Sequence, residues 1–140
     1  MMKTLLFLLG FWVLLGLVQC TKEDDPVIPL GEKIELKEGR SARAATSTAP
    51  VQLTITDIEE ARCPANVDCI WQGKVDVTVE LRDKAGSTQQ AALCLGGCRN
   101  DSVTVVLDAV PYWLRLASVD PYPVRDYSRS STATLYLTRQ

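Results

Sequence analysis

The stretch Lys74-Val75-Asp76-Val77-Thr78-Val79-Glu80-Leu81-Arg82 decides the fold. In an extended chain successive side chains point to opposite faces, so Val75, Val77, Val79 and Leu81 share one face and Asp76, Thr78, Glu80 and Arg82 the other. β-Branched residues in strict alternation suit a pleated, half-buried surface and count against a helix. Asp83-Lys84-Ala85-Gly86 follows as a turn ending in glycine, which sends the chain back as a hairpin into a strand over about Gln89 to Leu95.

The same two-residue period recurs on both sides of this hairpin. Ile34 and Leu36 alternate with Glu35 and Lys37 before Gly39, and Val51, Leu53 and Ile55 alternate with Gln52, Thr54 and Thr56. The offset to Ile58 predicts a bulge. Arg40 to Pro50, poor in apolar bulk, reads as a long loop or weak edge strand. Val103, Val105 and Leu107 mark a further strand, Tyr112, Leu114 and Leu116 another, and Ala133, Leu135 and Leu137 the last. Pro121 and Pro123 keep Asp120 to Arg129 out of a sheet and suggest a surface crossover. The expectation is an all-β domain over residues 33–140, a single antiparallel sandwich or partly closed barrel of about seven strands.

Composition limits what such a domain does. Hydrophobic residues make up 46% of the chain and charged residues 23%, the proportions of an ordinary globular protein. The net charge of −2, with both signs mixed along the chain, offers no positive field for a polyanion, so nucleic acid is not expected as a partner. Histidine is absent. Its absence removes the commonest general base and the commonest transition-metal ligand, and with them the histidine-dependent triads. There is no Gly-rich phosphate loop. Glu59-Glu60 and the other carboxylates are too ordinary to mark an acid/base pair. No cofactor, no metal and no catalytic residue are expected.

Arg62-Cys63-Pro64-Ala65-Asn66-Val67-Asp68-Cys69-Ile70-Trp71-Gln72-Gly73 is the most distinctive stretch of the chain. It resembles the D-S-R-C-P-x-x-V-x-C-x-W-x-G segment of small exported or lipid-anchored bacterial β-proteins of Bacteroidota type, with Glu60-Ala61 here in place of Asp-Ser. The flanks are similar too: Leu-x-x-Gly at Leu36 to Gly39, the strand after the tryptophan, and V-x-P-Y-P at Val119 to Pro123. The resemblance covers most of the chain after its N-terminal segment; it implies the β-fold and a disulfide, and no particular activity. Read from the residues, Cys63, Cys69, Cys94 and Cys98 suit disulfides in an exported protein. Spacing favours the local pairs Cys63–Cys69 and Cys94–Cys98, the second eased by Gly96-Gly97, with cross-pairing between the two loops as the alternative. The spacings Cys-x5-Cys and Cys-x3-Cys fit neither common zinc knuckles nor a Cys-x-x-Cys redox motif.

Residues 1–19 read as a signal peptide. Lys3 supplies the positive start, and the apolar run from Leu5 to Val18 falls short of the roughly twenty residues that span a bilayer, so it forms a signal helix and not a permanent anchor. Leu17-Val18-Gln19-Cys20 resembles the lipobox of bacterial lipoproteins, which implies a diacylglyceryl thioether on Cys20 and a mature chain beginning there. The cysteine count agrees: five cysteines less one lipidated leaves an even four. Thr21-Lys22-Glu23-Asp24-Asp25 resembles the acidic export signal of Bacteroidota surface lipoproteins, which implies the outer face of the outer membrane, with the periplasmic face as second choice. Residues 20–32, with Pro26, Pro29 and Gly31, read as a lipidated tether.

Two expectations concern aromatic residues. Trp71, next to a cysteine, reads as core that covers the disulfide. Trp113 falls on the opposite strand face from Tyr112, Leu114 and Leu116, and with Tyr122 and Tyr127 it forms a candidate binding surface for a sugar ring or a partner protein; a partly covered sheet edge is the plainer alternative. The function expected is a noncatalytic binding module on the cell envelope. A structural envelope protein without a discrete ligand comes second and a histidine-independent hydrolase third.

Overall fold

The computed structural model of the protein describes residues 26–126 and 130–140. The stretch read as a signal helix, Cys20, the acidic run to Asp25, and Tyr127 lie outside the described residues. The described chain is all-β, with nine strands: β1 (Val27–Ile28), β2 (Lys33–Lys37), β3 (Ser41–Ala44), β4 (Val51–Glu60), β5 (Lys74–Arg82), β6 (Thr88–Gly96), β7 (Ser102–Leu107), β8 (Val110–Asp120) and β9 (Thr132–Arg139). They form two sheets, β1-β3-β4-β5-β6 and β2-β9-β8-β7. β6 packs over β7 and β8, and β2 over β3 and β4, so the arrangement is a sandwich and not a closed barrel.

The alternation that identified β5 is the alternation that builds the core. Val75, Val77, Val79 and Leu81 are all buried, and Leu53, Ile55, Leu93, Leu114, Leu116, Leu135 and Leu137 meet them from the neighbouring strands and the facing sheet. Each fully buried side chain of this size contributes about 1.5–3 kcal/mol over its exposed state. The expected bulge is present: the β4/β5 register shifts between Ile55 and Asp57. β8 carries a second, between Leu116 and Ser118, after which Val119 turns back into the core. Tyr112 is also buried; its hydroxyl oxygen accepts the Ser47 N–H at 2.9 Å and lies 2.7 Å from Ser47 Oγ, fastening the β3–β4 loop to β8.

Two expectations need correction, and of the two alternatives for Arg40 to Pro50 a short strand is present. Two strands escaped the pattern: β3 belongs to a span read as loop or weak edge strand, and β1 falls within the stretch read as tether, where Val27–Ile28 pairs in parallel with Arg43–Ala44. Two residues are too few for a period to declare itself, and their strand is imposed by the edge of β3. The segment after β8 is not a crossover. β8 and β9 are antiparallel neighbours, so the connection between them, described over residues 121–126 and 130–131, closes a hairpin within their own sheet. The prolines break the ladder as expected but do not move the chain to another layer.

Candidate functional site

Three loops gather at one end of the sandwich: β4–β5 with Cys63 and Cys69, β6–β7 with Cys98, and β8–β9 with Tyr122. Both local disulfides are formed, Cys63–Cys69 with Cα atoms 6.0 Å apart and Cys94–Cys98 at 6.3 Å. Backbone bonds close the first loop at its base, where Cys63 N–H donates to the Gln72 carbonyl at 2.8 Å and Ala61 N–H to the Lys74 carbonyl at 2.9 Å.

The two cysteine loops are locked to each other through glycines. Gly97 N–H donates to the Gly73 carbonyl at 2.8 Å. Gly73 has φ +70°, and a Cβ there would meet the Ala61 carbonyl oxygen at 2.0 Å, so only glycine lets these backbones approach so closely. A Cβ on Gly97 would lie 2.8 Å from the Trp71 ring. The indole therefore rests an edge on bare backbone of the second loop.

The third loop is held by Arg62. Its guanidinium donates to the Glu60 carboxylate, with Nε 2.8 Å from Oε1, and its second terminal nitrogen donates to the Val119 carbonyl at 2.9 Å. The same group stacks on the Tyr122 ring at 4.6 Å from the centroid. The Arg62 side chain is only 9% exposed. Ala65 N–H donates to the Pro123 carbonyl at 2.9 Å and Arg125 N–H to Asn66 Oδ1 at 2.8 Å, so loops distant in sequence share one framework. Lys74, at the foot of the site, is hydrogen-bonded to Asp76, whose charge also holds its ammonium above the usual lysine range.

What this framework presents is apolar. Ile70 is 106% exposed and Trp71 58%, and Tyr122 and Val124 on the β8–β9 loop are exposed as well. The expectation that Trp71 is core is thus overturned: it touches the second cysteine loop along an edge and gives most of its surface to solvent. Trp113 is exposed on the outer face of β8, as its strand position requires. Tyr122 stands past the other end of that strand. The eight residues from Trp113 to Asp120 span about 23 Å at the usual rise of a strand. The two aromatics therefore do not share one surface.

The opposite end of the sandwich is different in character. A shallow groove of about 410 Å³ is lined by Arg43, Gln52, Arg82 and Lys84, with Thr48 and Asp83 at its margin. Val27 is level with Arg43, Arg43 with Gln52, and Gln52 with Arg82, so β1 lies near this end, and being parallel to β3 it runs toward it and away from the cysteine loops. Glu60 lies eight residues further along β4, about 25 Å away. No protein-family model matches the chain, and neither the curated proteins nor the solved structures contain a significant match.

Ile70 was visible in the sequence only as a variable position inside the cysteine motif, and Val124 not at all. Glu60 was passed over as an ordinary carboxylate, although its spacing of two from Arg62 was a signal: in a strand end that continues straight, residues i and i+2 lie on the same side.

Proposed function

We propose that this chain is an envelope lipoprotein, tethered through Cys20, whose sandwich is a noncatalytic binding module with its ligand face at the cysteine-loop end. The observation that carries the reading is the exposure of Ile70 and Trp71 on loops that two disulfides, the Gly73–Gly97 contact and Arg62 hold in a fixed shape. Large apolar groups on a rigid frame lose little conformational entropy when they meet a partner. Ile70 and Trp71 are adjacent in the chain, and large apolar side chains exposed side by side favour a contact surface.

Two measurements test this. Labelling with radioactive palmitate should mark the wild-type chain and not Cys20→Ser; equal labelling, or none, removes the anchor. Retention of envelope components by the immobilised chain should fall at least tenfold for Trp71→Ala and stay unchanged for Trp113→Ala, with both variants melting within about 2 °C of wild type. Loss with Trp113→Ala alone would move the ligand face to the strand surface of β8.

A further inference from the structure

The two long sides of the sandwich are defended unequally. An edge strand offers unpaired N–H and C=O groups to any other chain, and natural sheets blunt such edges with charge, proline or very short strands. On one side β1 has only two residues and β2 carries Lys33, Glu35 and Lys37. On the other, β6 (Thr-Gln-Gln-Ala-Ala-Leu-Cys-Leu-Gly) and β7 (Ser-Val-Thr-Val-Val-Leu) hold no charged residue and no proline over nine and six positions.

Two hydrogen bonds show which backbone groups of β6 face outward. Asp83 N–H donates to the Ser87 carbonyl at 3.0 Å, which makes Arg82↔Thr88 and every second pair after it the kind whose N–H and C=O point away from the partner strand. Cys94 N–H agrees, since it donates outward to the Asn100 carbonyl at 2.8 Å. Thr88, Gln90 and Ala92 therefore direct their backbone groups away from β5, and the Asn100 cap on Cys94 ends the open stretch. It is symmetric about Gln90.

We infer that β6 pairs with β6 of a second copy of this chain, antiparallel about a two-fold axis at Gln90, joining the two five-stranded sheets edge to edge. In that register Gln90 faces Gln90 and Thr88 faces Ala92 of the other copy, so all three residues exchange both backbone bonds. No like charges meet across the junction, whereas self-pairing of β2 would set its own charges opposite each other. The isologous form follows from the stretch being bounded on both sides, by the hairpin turn and by the Asn100 cap. This inference is independent of the ligand face, which lies on loops at the end of the sandwich.

The test uses the full chain in the membranes of an expressing bacterium. Under mild oxidant Gln90→Cys should give a disulfide-linked dimer at least tenfold more abundant than Thr78→Cys on the central strand β5. Ala92→Cys should cross-link only when co-expressed with Thr88→Cys. Equal cross-linking of Gln90→Cys and Thr78→Cys would overturn the inference, and so would a mixed disulfide from Gln90→Cys to a different polypeptide. Should the added thiols disturb folding, sedimentation of the detergent-solubilised chain decides instead. Wild type should be dimeric, Gln90→Lys and Gln90→Glu each monomeric, and their mixture dimeric again; a wild-type monomer at about 0.5 mM, or a dimer unaffected by Gln90→Lys, would overturn it.

Discussion

Arg62 joins parts of the chain that are far apart in sequence: the end of β4 through Glu60, the end of β8 through the Val119 carbonyl, and the β8–β9 loop through the face of Tyr122. Only a planar, forked cation meets a carboxylate, a carbonyl and a ring at once. Arg62→Ala should therefore destabilise the protein by about 2–3 kcal/mol in chemical denaturation, since it strands a partly buried carboxylate and a carbonyl. Arg62→Lys should recover less than half of that loss. At Gly73 the constraint is backbone contact. Gly73→Ala should cost about 2–4 kcal/mol by the same measurement, because the new Cβ meets the Ala61 carbonyl in a left-handed conformation. At this scale the sequence was only partly legible. Arg62 and Gly73 stood in the distinctive motif, but their partners are tertiary, and nothing local in Trp71 tells an indole that covers a disulfide from one that rests on the glycine of another loop.

At the scale of elements, periodicity carried the reading. β2, β4, β5, β6, β7, β8 and β9 each show it, and the bulge near Ile55 follows from a slip in that period. β1 was obscure because two residues show no period, β3 because its small residues Ser41, Ala42 and Ala44 carry little apolar contrast, and the pairing of β8 with β9 because the loop between them is long. The disulfides act at this scale too. Each closes a short loop, with sequence separations of 6 and 4, so by the chain-entropy model each contributes about 2–2.5 kcal/mol. Reduction should lower the melting temperature while leaving the far-UV spectrum of the folded sheets unchanged. Amide exchange should accelerate in residues 61–73 and 97–101 far more than in β5, whose protection comes from the shared core. Uniform acceleration across both sheets would show that the bridges hold the body and not the loops.

At the scale of the molecule, the two ends of one sandwich differ in character, one lined by charged side chains and the other carrying exposed apolar ones. β1 lies level with Arg43, Gln52 and Arg82, and the loops that carry the exposed Ile70, Trp71, Tyr122 and Val124 stand at the other end. The core between them is continuous from sheet to sheet and close-packed. The measurement that bears most directly on this division is photo-cross-linking in intact cells, from a reactive side chain placed at Ile70 and, separately, at Trp113. The account predicts a discrete adduct from position 70 and none from position 113. An adduct from position 113 alone, or identical products from both, would contradict it.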